Sequence, residues 1–233
     1  MRLGLLSDVH GNRIALAAVL EDMPPVDALV CAGDVVGYGP WPAECVATLR
    51  ERDVTTVSGN HDRAVADGTG FRFNAMADAG VTYAREALDD DALAWLAALP
   101  DRRLVADGRV AVAHGHPDDR DRYTYPDDFS GDLIERAADR LGVDPGVDGG
   151  VDALVLGHTH VQGHRTFDEG VVVNPGSVGQ PRDGDPRAAY AVLDVAEREV
   201  EERRVGYDVE RVAEAVADAG LPERIGSRLF EGE

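Results

Sequence analysis

The chain contains no lysine. All 23 of its basic residues are arginine, set against 44 Asp and Glu, for a formal net charge of −21 at pH 7. Acid excess on this scale destabilises a compact state through self-repulsion in dilute buffer, so it points to a highly saline cytoplasm and a halophilic protein. It also counts against nucleic acid as a partner, because backbone phosphates call for clustered basic side chains. Long apolar runs are missing too: none approaches the roughly 18 residues of a membrane span, and the N-terminal run meets a charge at Asp8. A soluble, cytoplasmic protein with no membrane partner is expected. Cysteine is scarce, with Cys31 in the apolar run Ala28–Ala32 and Cys45 in a helical pattern, so both read as small core residues and a disulfide framework is excluded. No Pro/Gly/Ser linker and no internal repeat divides the 233 residues, which are read as one domain spanning 1–233.

What is present is an alternation of short apolar runs and polar turns. Arg2–Ser7, Ala28–Ala32 and Val54–Ser58 read as buried strands, with helices over Arg13–Asp22 and Pro42–Glu51 between them. Pro42 falls in the first turn, where a missing N–H costs least. This βαβαβ order predicts a parallel sheet whose strand ends carry their loops on one edge, where ligand sites form. Helices are expected over Asn74–Ala87 and Asp89–Leu99, the second capped by Asp89. Asp107-Gly108 between Arg102–Ala106 and Arg109–Ala113 predicts a two-residue hairpin. Gly115–Gly131, rich in Asp and Arg with Tyr123 and Tyr125 among them, reads as a solvated loop in preference to a mobile flap over a site, and Asp132–Leu141 as a helix. After the loose stretch Gly142–Gly150 come strands at Val151–Leu156, Gly163–Phe167, Val171–Val173, Ala189–Leu193 and Glu199–Val205, the last four expected to form a second, antiparallel sheet. An amphipathic helix over Val209–Ala219 and a short helical tail end the chain.

The turns carry the chemistry. Asp8-Val9-His10, Gly33-Asp34, Gly59-Asn60-His61-Asp62, His114 and Gly157-His158-Thr159-His160 each follow a strand-like run. A single Gly-Asn-His-Asp is an ordinary turn composition; five such clusters at strand ends are not. Asp8, His10, Asp34, Asn60, His114, His158 and His160 are more ligands than one dication needs, so two ions are expected, with a carboxylate as the natural bridge. Mixed imidazole and oxygen donors suit Mn, Fe, Co, Ni or Zn rather than Ca, and the lack of thiolates excludes a zinc-finger type of site.

In this order, the five clusters resemble the signatures of the calcineurin-like metallophosphoesterases, and the resemblance spans residues 1 to about 195. It implies a four-layer αββα sandwich of two mixed sheets flanked by helices, with a dinuclear centre at the strand ends. It implies further that Asp8, His10 and His160 hold one ion, that Asn60, His114 and His158 hold the other, and that Asp34 bridges. Two divalent ions, Mn first with Ni, Fe, Co and Zn as alternatives, would then activate a hydroxide for in-line attack on phosphorus. By the same resemblance His61 protonates the leaving oxygen or stabilises its charge; Asp62 could hold the imidazole and raise its pKa, or act as a helix cap.

Substrate-binding candidates are Asn12, His116, Asn174 in the loop Asn174-Pro175-Gly176-Ser177, and Arg182, which can clamp a phosphate or pair with Asp183 or Asp185. Protein Ser/Thr phosphatases and symmetrical diadenosine tetraphosphate hydrolases carry Gly-Asp-x-Val-Asp-Arg-Gly, whereas here Gly33-Asp34-Val35-Val36-Gly37-Tyr38-Gly39 lacks the Asp-Arg pair. The set looks more like the small prokaryotic phosphodiesterases. The expected function is metal-dependent hydrolysis of small phosphodiesters or phosphomonoesters. Its alternatives are a nucleotide or dinucleoside polyphosphate hydrolase, a nuclease, or a non-catalytic scaffold like the retromer subunit of the same fold. A homo-oligomer is left open.

Overall fold

The computed structural model describes residues 1–68, 73–143 and 150–233, so most of the loose Gly142–Gly150 stretch lies outside it. In chain order the regular elements are β1 (Arg2–Leu6), α1 (Arg13–Asp22), β2 (Ala28–Cys31), α2 (Pro42–Glu51), β3 (Thr55–Thr56), α3 (Asn60–Asp67), α4 (Ala75–Ala87), α5 (Asp90–Ala97), β4 (Arg102–Val105) and β5 (Val110–Ala113). They continue with α6 (Gly131–Leu141), β6 (Ala153–Val155), β7 (Gly163–Thr166), β8 (Val171–Asn174), β9 (Ala188–Asp194), β10 (Glu199–Val205), α7 (Val209–Asp218) and α8 (Glu223–Ser227). The sequence places most of the helix ends because the caps are local. Asn74 and Asp89 each accept a first-turn N–H, at 3.0 and 2.8 Å.

Two five-stranded mixed sheets form, ordered β10-β9-β1-β2-β3 and β4-β5-β6-β8-β7. Alternation along each strand sorts the apolar side chains into layers. Leu3, Leu5, Val30, Ala191 and Leu193 of the first sheet meet Val112, Val155, Val171 and Val173 of the second. Their neighbours Leu6, Cys31, Tyr190 and Val192 face outward to Leu16, Val19, Val46 and Leu49 of α1 and α2. On the other side Ala111, Leu154 and Val172 face Leu133, Ile134 and Ala137 of α6. Helix, sheet, sheet, helix is the expected order of layers. Each fully buried Leu or Val contributes roughly 1.5–3 kcal/mol relative to exposure.

Three expectations need correction. The last four strands do not make a sheet of their own: β7 and β8 join β6 in the second sheet, while β9 pairs antiparallel with β1, Leu3 opposite Leu193, and carries β10 into the first. The hairpin after β4 turns through four residues, with Ala106, Asp107 and Gly108 all at positive φ and Val105 opposite Val110. The Gly59-Asn60-His61-Asp62 stretch is the first turn of a helix, α3, that periodicity alone does not reveal in eight residues.

Candidate metal centre

The parallel strands of both sheets release their carboxyl ends at one edge, and the loops there are laced together. Asp8 N–H donates to Gly33 O at 2.9 Å, His10 N–H to Asp34 O at 2.9 Å, Gly157 N–H to His114 O at 2.7 Å, and His158 N–H to Asp8 Oδ2 at 3.1 Å. Asp8, His10, Asp34, His158 and His160 all sit at positive φ, between 47° and 67°. Left-handed backbone at a non-glycine residue costs on the order of 1–3 kcal/mol and persists only where the surroundings enforce it. Five such residues in one cluster of loops mark a functional site.

Ligand atoms of Asp8, His10 and His160 lie within 4.8 Å of one another, as do those of Asp34, His114 and His158. Four imidazoles are oriented alike. One nitrogen of each faces a backbone carbonyl: His10 Nδ1 faces Val36 O at 3.2 Å, His114 Nδ1 Ala32 O at 2.7 Å, His160 Nδ1 Gln180 O at 2.6 Å, and His158 Nε2 Asp121 O at 3.2 Å. Such a contact fixes the proton there and leaves the second nitrogen as a lone pair aimed inward. The inward atoms of His10, His158 and His160 then have no protons to share, whereas His114 keeps a second proton against Asp34. His10 Nε2 and His160 Nε2 stand 3.2 Å apart, and Asp8 Oδ1, 3.2 Å from His160 Nε2, is fully buried with no hydrogen-bond partner. A buried carboxylate oxygen among lone pairs is costly unless a cation joins them, so the donor set fits a transition-metal dication.

Asp34 links the two clusters. Its Oδ1 accepts the His61 N–H of the first turn of α3 at 2.8 Å; its Oδ2 lies 3.7 Å from His10 Nε2 and 3.3 Å from His114 Nε2. Asn60 Oδ1 lies 3.1 Å from the same His114 nitrogen, completing the second group. Gly59 is obligatory here, since a Cβ would overlap the Asp34 carboxylate.

Asp62 does not meet His61. Its Oδ2 accepts Gly59 N–H at 3.0 Å and its Oδ1 Val36 N–H at 3.1 Å, closing the N-terminus of α3 and pinning it to the loop after β2. The expectation that it holds and charges the imidazole is therefore overturned; of the two roles weighed, helix capping is the one seen. His61 packs among Phe73, Tyr38 and His10 at ring-centroid distances of 4.6, 4.7 and 4.9 Å, with its Nδ1 buried and unpartnered. His61 helps line the cleft. It is also within ligand reach of His10 and Asp34.

Burial dominates the titrations. It drives His61 down to about 4 despite Asp34, and His158 down to about 3 with help from the His114 charge. His10 and His160 lie well below the usual imidazole value for the same reason. Asp8 is raised to about 6 by burial, and Asp62 to about 7 by burial and the nearby Asp34 charge. At His114 burial acts downward, but the Asp34 carboxylate overrides it and lifts the group to about 9; Asp34 in turn is held well below its usual range, chiefly by His114 and His61 against its own burial.

Of the substrate-binding candidates, the fold brings Arg182 into the cleft and leaves the others aside. Asn12 caps α1 through Ala15 N–H and donates to Gly179 O, and Asn174 spans Gly157 O, Thr159 Oγ1 and Gly176 N–H. Both are buried organisers of the loops. His116 accepts from Asp118 N–H outside the residues that line the cleft. Arg182 pairs with neither Asp183 nor Asp185, which are taken by Arg204 and Arg187. Its guanidinium lies over the Tyr38 ring, held by Gln180 Oε1 at 2.6 Å, with Nε unpartnered.

Sequence reasoning missed the walls of the cleft, a space of about 110 Å³. Tyr38, Phe73 and Tyr123 line it beside Asp34, Asn60, His61, His158, His160 and Arg182. The loop after β5 is thus part of the site, since Tyr123 stacks on His158 at 4.1 Å. Tyr38 is backed by Val212, Val216, Ile225 and Leu229 from the C-terminal helices. The available signals were that Tyr38 and Tyr123 stand in loops after strands, not on apolar faces, and that the loop of Tyr123 also reads as a flap over a site.

Residues 1–198 match the model of the calcineurin-like phosphoesterase superfamily domain. A metallophosphoesterase from Sphaerobacter thermophilus, known from its crystal structure, is 34% identical and superposes with a TM-score of 0.81 over 100% of this chain and 99% of its own. An uncharacterised protein of Methanocaldococcus jannaschii is 31% identical over 99% of this chain and 98% of its own length. Phosphodiesterase YfcE of Escherichia coli K12 is 29% identical over 83% of this chain and 88% of its own.

Proposed function

This chain belongs to the calcineurin-like phosphoesterase superfamily, and from that premise we propose that it is a two-metal phosphodiesterase acting on small phosphate esters. Hydrolysis of phosphoric esters with divalent metal comes with the family; the preference for diesters draws on the likeness to phosphodiesterase YfcE. The observation that carries the metal reading is the orphaned Asp8 Oδ1 between His10 and His160; the second ion is inferred from the separate donor group Asp34, His114 and His158, with Asn60 Oδ1 beside it. Asp8, His10 and His160 would hold one ion, Asn60, His114 and His158 the other, and Asp34 Oδ2 would serve both. Two divalent ions, manganese in the first instance, would supply an activated water near neutral pH and neutralise phosphoryl oxygens.

The chain's own groups do the rest. Arg182, fixed by Gln180 and Tyr38, is placed to take a phosphoryl oxygen in its fork. His61, kept neutral near pH 7 because burial lowers its pKa to about 4, lines the cleft and donates a hydrogen bond from Nε2 to the leaving oxygen. The aromatic walls exclude water and hold the ester in line. Asp62, Asn12 and Asn174 position the loops. The residues 1–233 are read as one domain working in a saline cytoplasm; no helix among the described residues is long and apolar enough to cross a membrane. A bare scaffold would have no use for a strained, fully assembled ligand cluster.

The test is to strip the protein with EDTA, measure metal content, and assay bis(p-nitrophenyl) phosphate and p-nitrophenyl phosphate before and after adding Mn, Ni, Fe, Co or Zn in high salt. Activity should vanish with the metal and return with about two ions per chain, the diester being favoured. Undiminished hydrolysis by metal-free protein would end this reading.

A further inference from the structure

The segment Tyr123-Thr124-Tyr125 inverts the usual pattern of burial. Alternation turns the small polar Thr124 inward, where it is 3% exposed, and both tyrosines outward, at 50% and 46%. A chain folding only for stability places aromatic rings inside and threonine outside, because each buried ring withdraws a large apolar surface from water. The two rings are stacked with centroids 6.1 Å apart and 14° between their planes. Tyr123 is also nearly parallel to His158, at 18°. Three near-parallel rings therefore run from a candidate metal ligand to the solvent, starting at the wall of the cleft that holds Arg182. The backbone beneath is anchored: the Asp121 carbonyl meets His158 Nε2, and Asp128 Oδ2 accepts the Tyr125 N–H at 3.3 Å.

A flat, half-exposed aromatic surface that begins at the cleft wall and runs outward from it is suited to a flat partner. Stacking on such a surface tolerates any planar ring, since all present a π face. We propose that Tyr123 and Tyr125 form a stacking subsite for a planar aromatic ring carried on the alcohol side of the substrate, so that the preferred esters are nucleoside or aryl phosphates. The inference rests on the reading of the site as a phosphoesterase and adds the class of group beyond the phosphorus. Neither tyrosine touches the reacting atoms; they set which ester is held.

Competition against bis(p-nitrophenyl) phosphate by AMP, phenyl phosphate and ribose 5-phosphate, together with calorimetric binding of the same three to the metal-loaded protein, tests it. AMP and ribose 5-phosphate share phosphate and sugar and differ by the ring, so AMP should bind tighter by on the order of tenfold, within the range for stacking of one base. Tyr125→Ala should pull that ratio toward one, while Tyr125→Phe and Tyr123→Phe keep it. Tyr125 is the better probe because Tyr123→Ala also uncovers His158, and metal content is measured for every variant. Phenyl phosphate following AMP identifies an aryl source of the ring; phenyl phosphate following ribose 5-phosphate identifies a nucleoside one; both support the subsite. Equal binding of AMP and ribose 5-phosphate, or a ratio unmoved by Tyr125→Ala, overturns it. Absence of hydrolysis with the ratio intact would instead count against the proposed reaction alone.

Discussion

Replacing His61 by alanine separates two roles that the family resemblance leaves together. With burial holding the imidazole at about 4, only about one molecule in a thousand carries the imidazolium at pH 7. A general acid is worth about 10²–10⁴, and dilution by a factor of about 10³ cancels most of that. Cations bound nearby would depress the group further, and the substrate phosphate pulls the other way. What survives is a hydrogen bond from neutral Nε2 to the developing charge, worth about 10²–10³ in turnover in comparable preorganised sites. His61→Ala is therefore expected to lower kcat by about 10²–10³ with metal content unchanged, and by the same factor for diesters leaving as p-nitrophenolate and as a simple alkoxide. The assay is single-turnover hydrolysis of such a matched pair, with metal analysis on the same samples. A loss more than about tenfold larger for the poorer leaving group would show proton transfer and refute the argument. Loss of an ion would make His61 a ligand, as its reach to His10 and Asp34 permits.

Three further outcomes are expected. Metal binding takes neutral His114, which the Asp34 charge lifts to about 9; affinity at that cluster should therefore rise about tenfold per pH unit from 7 to 9 and release about one proton at pH 7.5. Calorimetry in buffers of different ionisation enthalpy that found no proton release would contradict this. Asp34→Ala should cost both ions and Asp8→Ala mainly one, because among the described residues Asp34 is the carboxylate that reaches both clusters; full occupancy in Asp34→Ala would remove the bridge. With a net charge of −21, the melting temperature should climb as KCl is raised from about 0.1 to 1 M, where screening shortens from about 10 to 3 Å; an unchanged or falling value would dispose of the salt-adapted reading.

The sequence by itself determined the local features of this protein. The strand-loop-helix order through β3, the cap at Asp89, and the seven ligand candidates at strand ends were legible because each depends on neighbours a few residues away. The tertiary structure alone decided the rest. That β9 closes on β1 nearly two hundred residues upstream follows from which apolar faces pack, and alternation looks the same in either sheet. That Asp62 also pins α3 to Val36 while His61 sits uncharged in an aromatic cage, and that Asn12 and Asn174 tie loops together, follows from which donors and acceptors the fold brings within about 3 Å. A polar side chain's role is set by the partners it finds through space, and those partners have no fixed spacing along the chain. Tyr38, Phe73 and Tyr123 became walls of the cleft for the same reason: an aromatic ring in a loop carries no periodicity to say which cavity it will face.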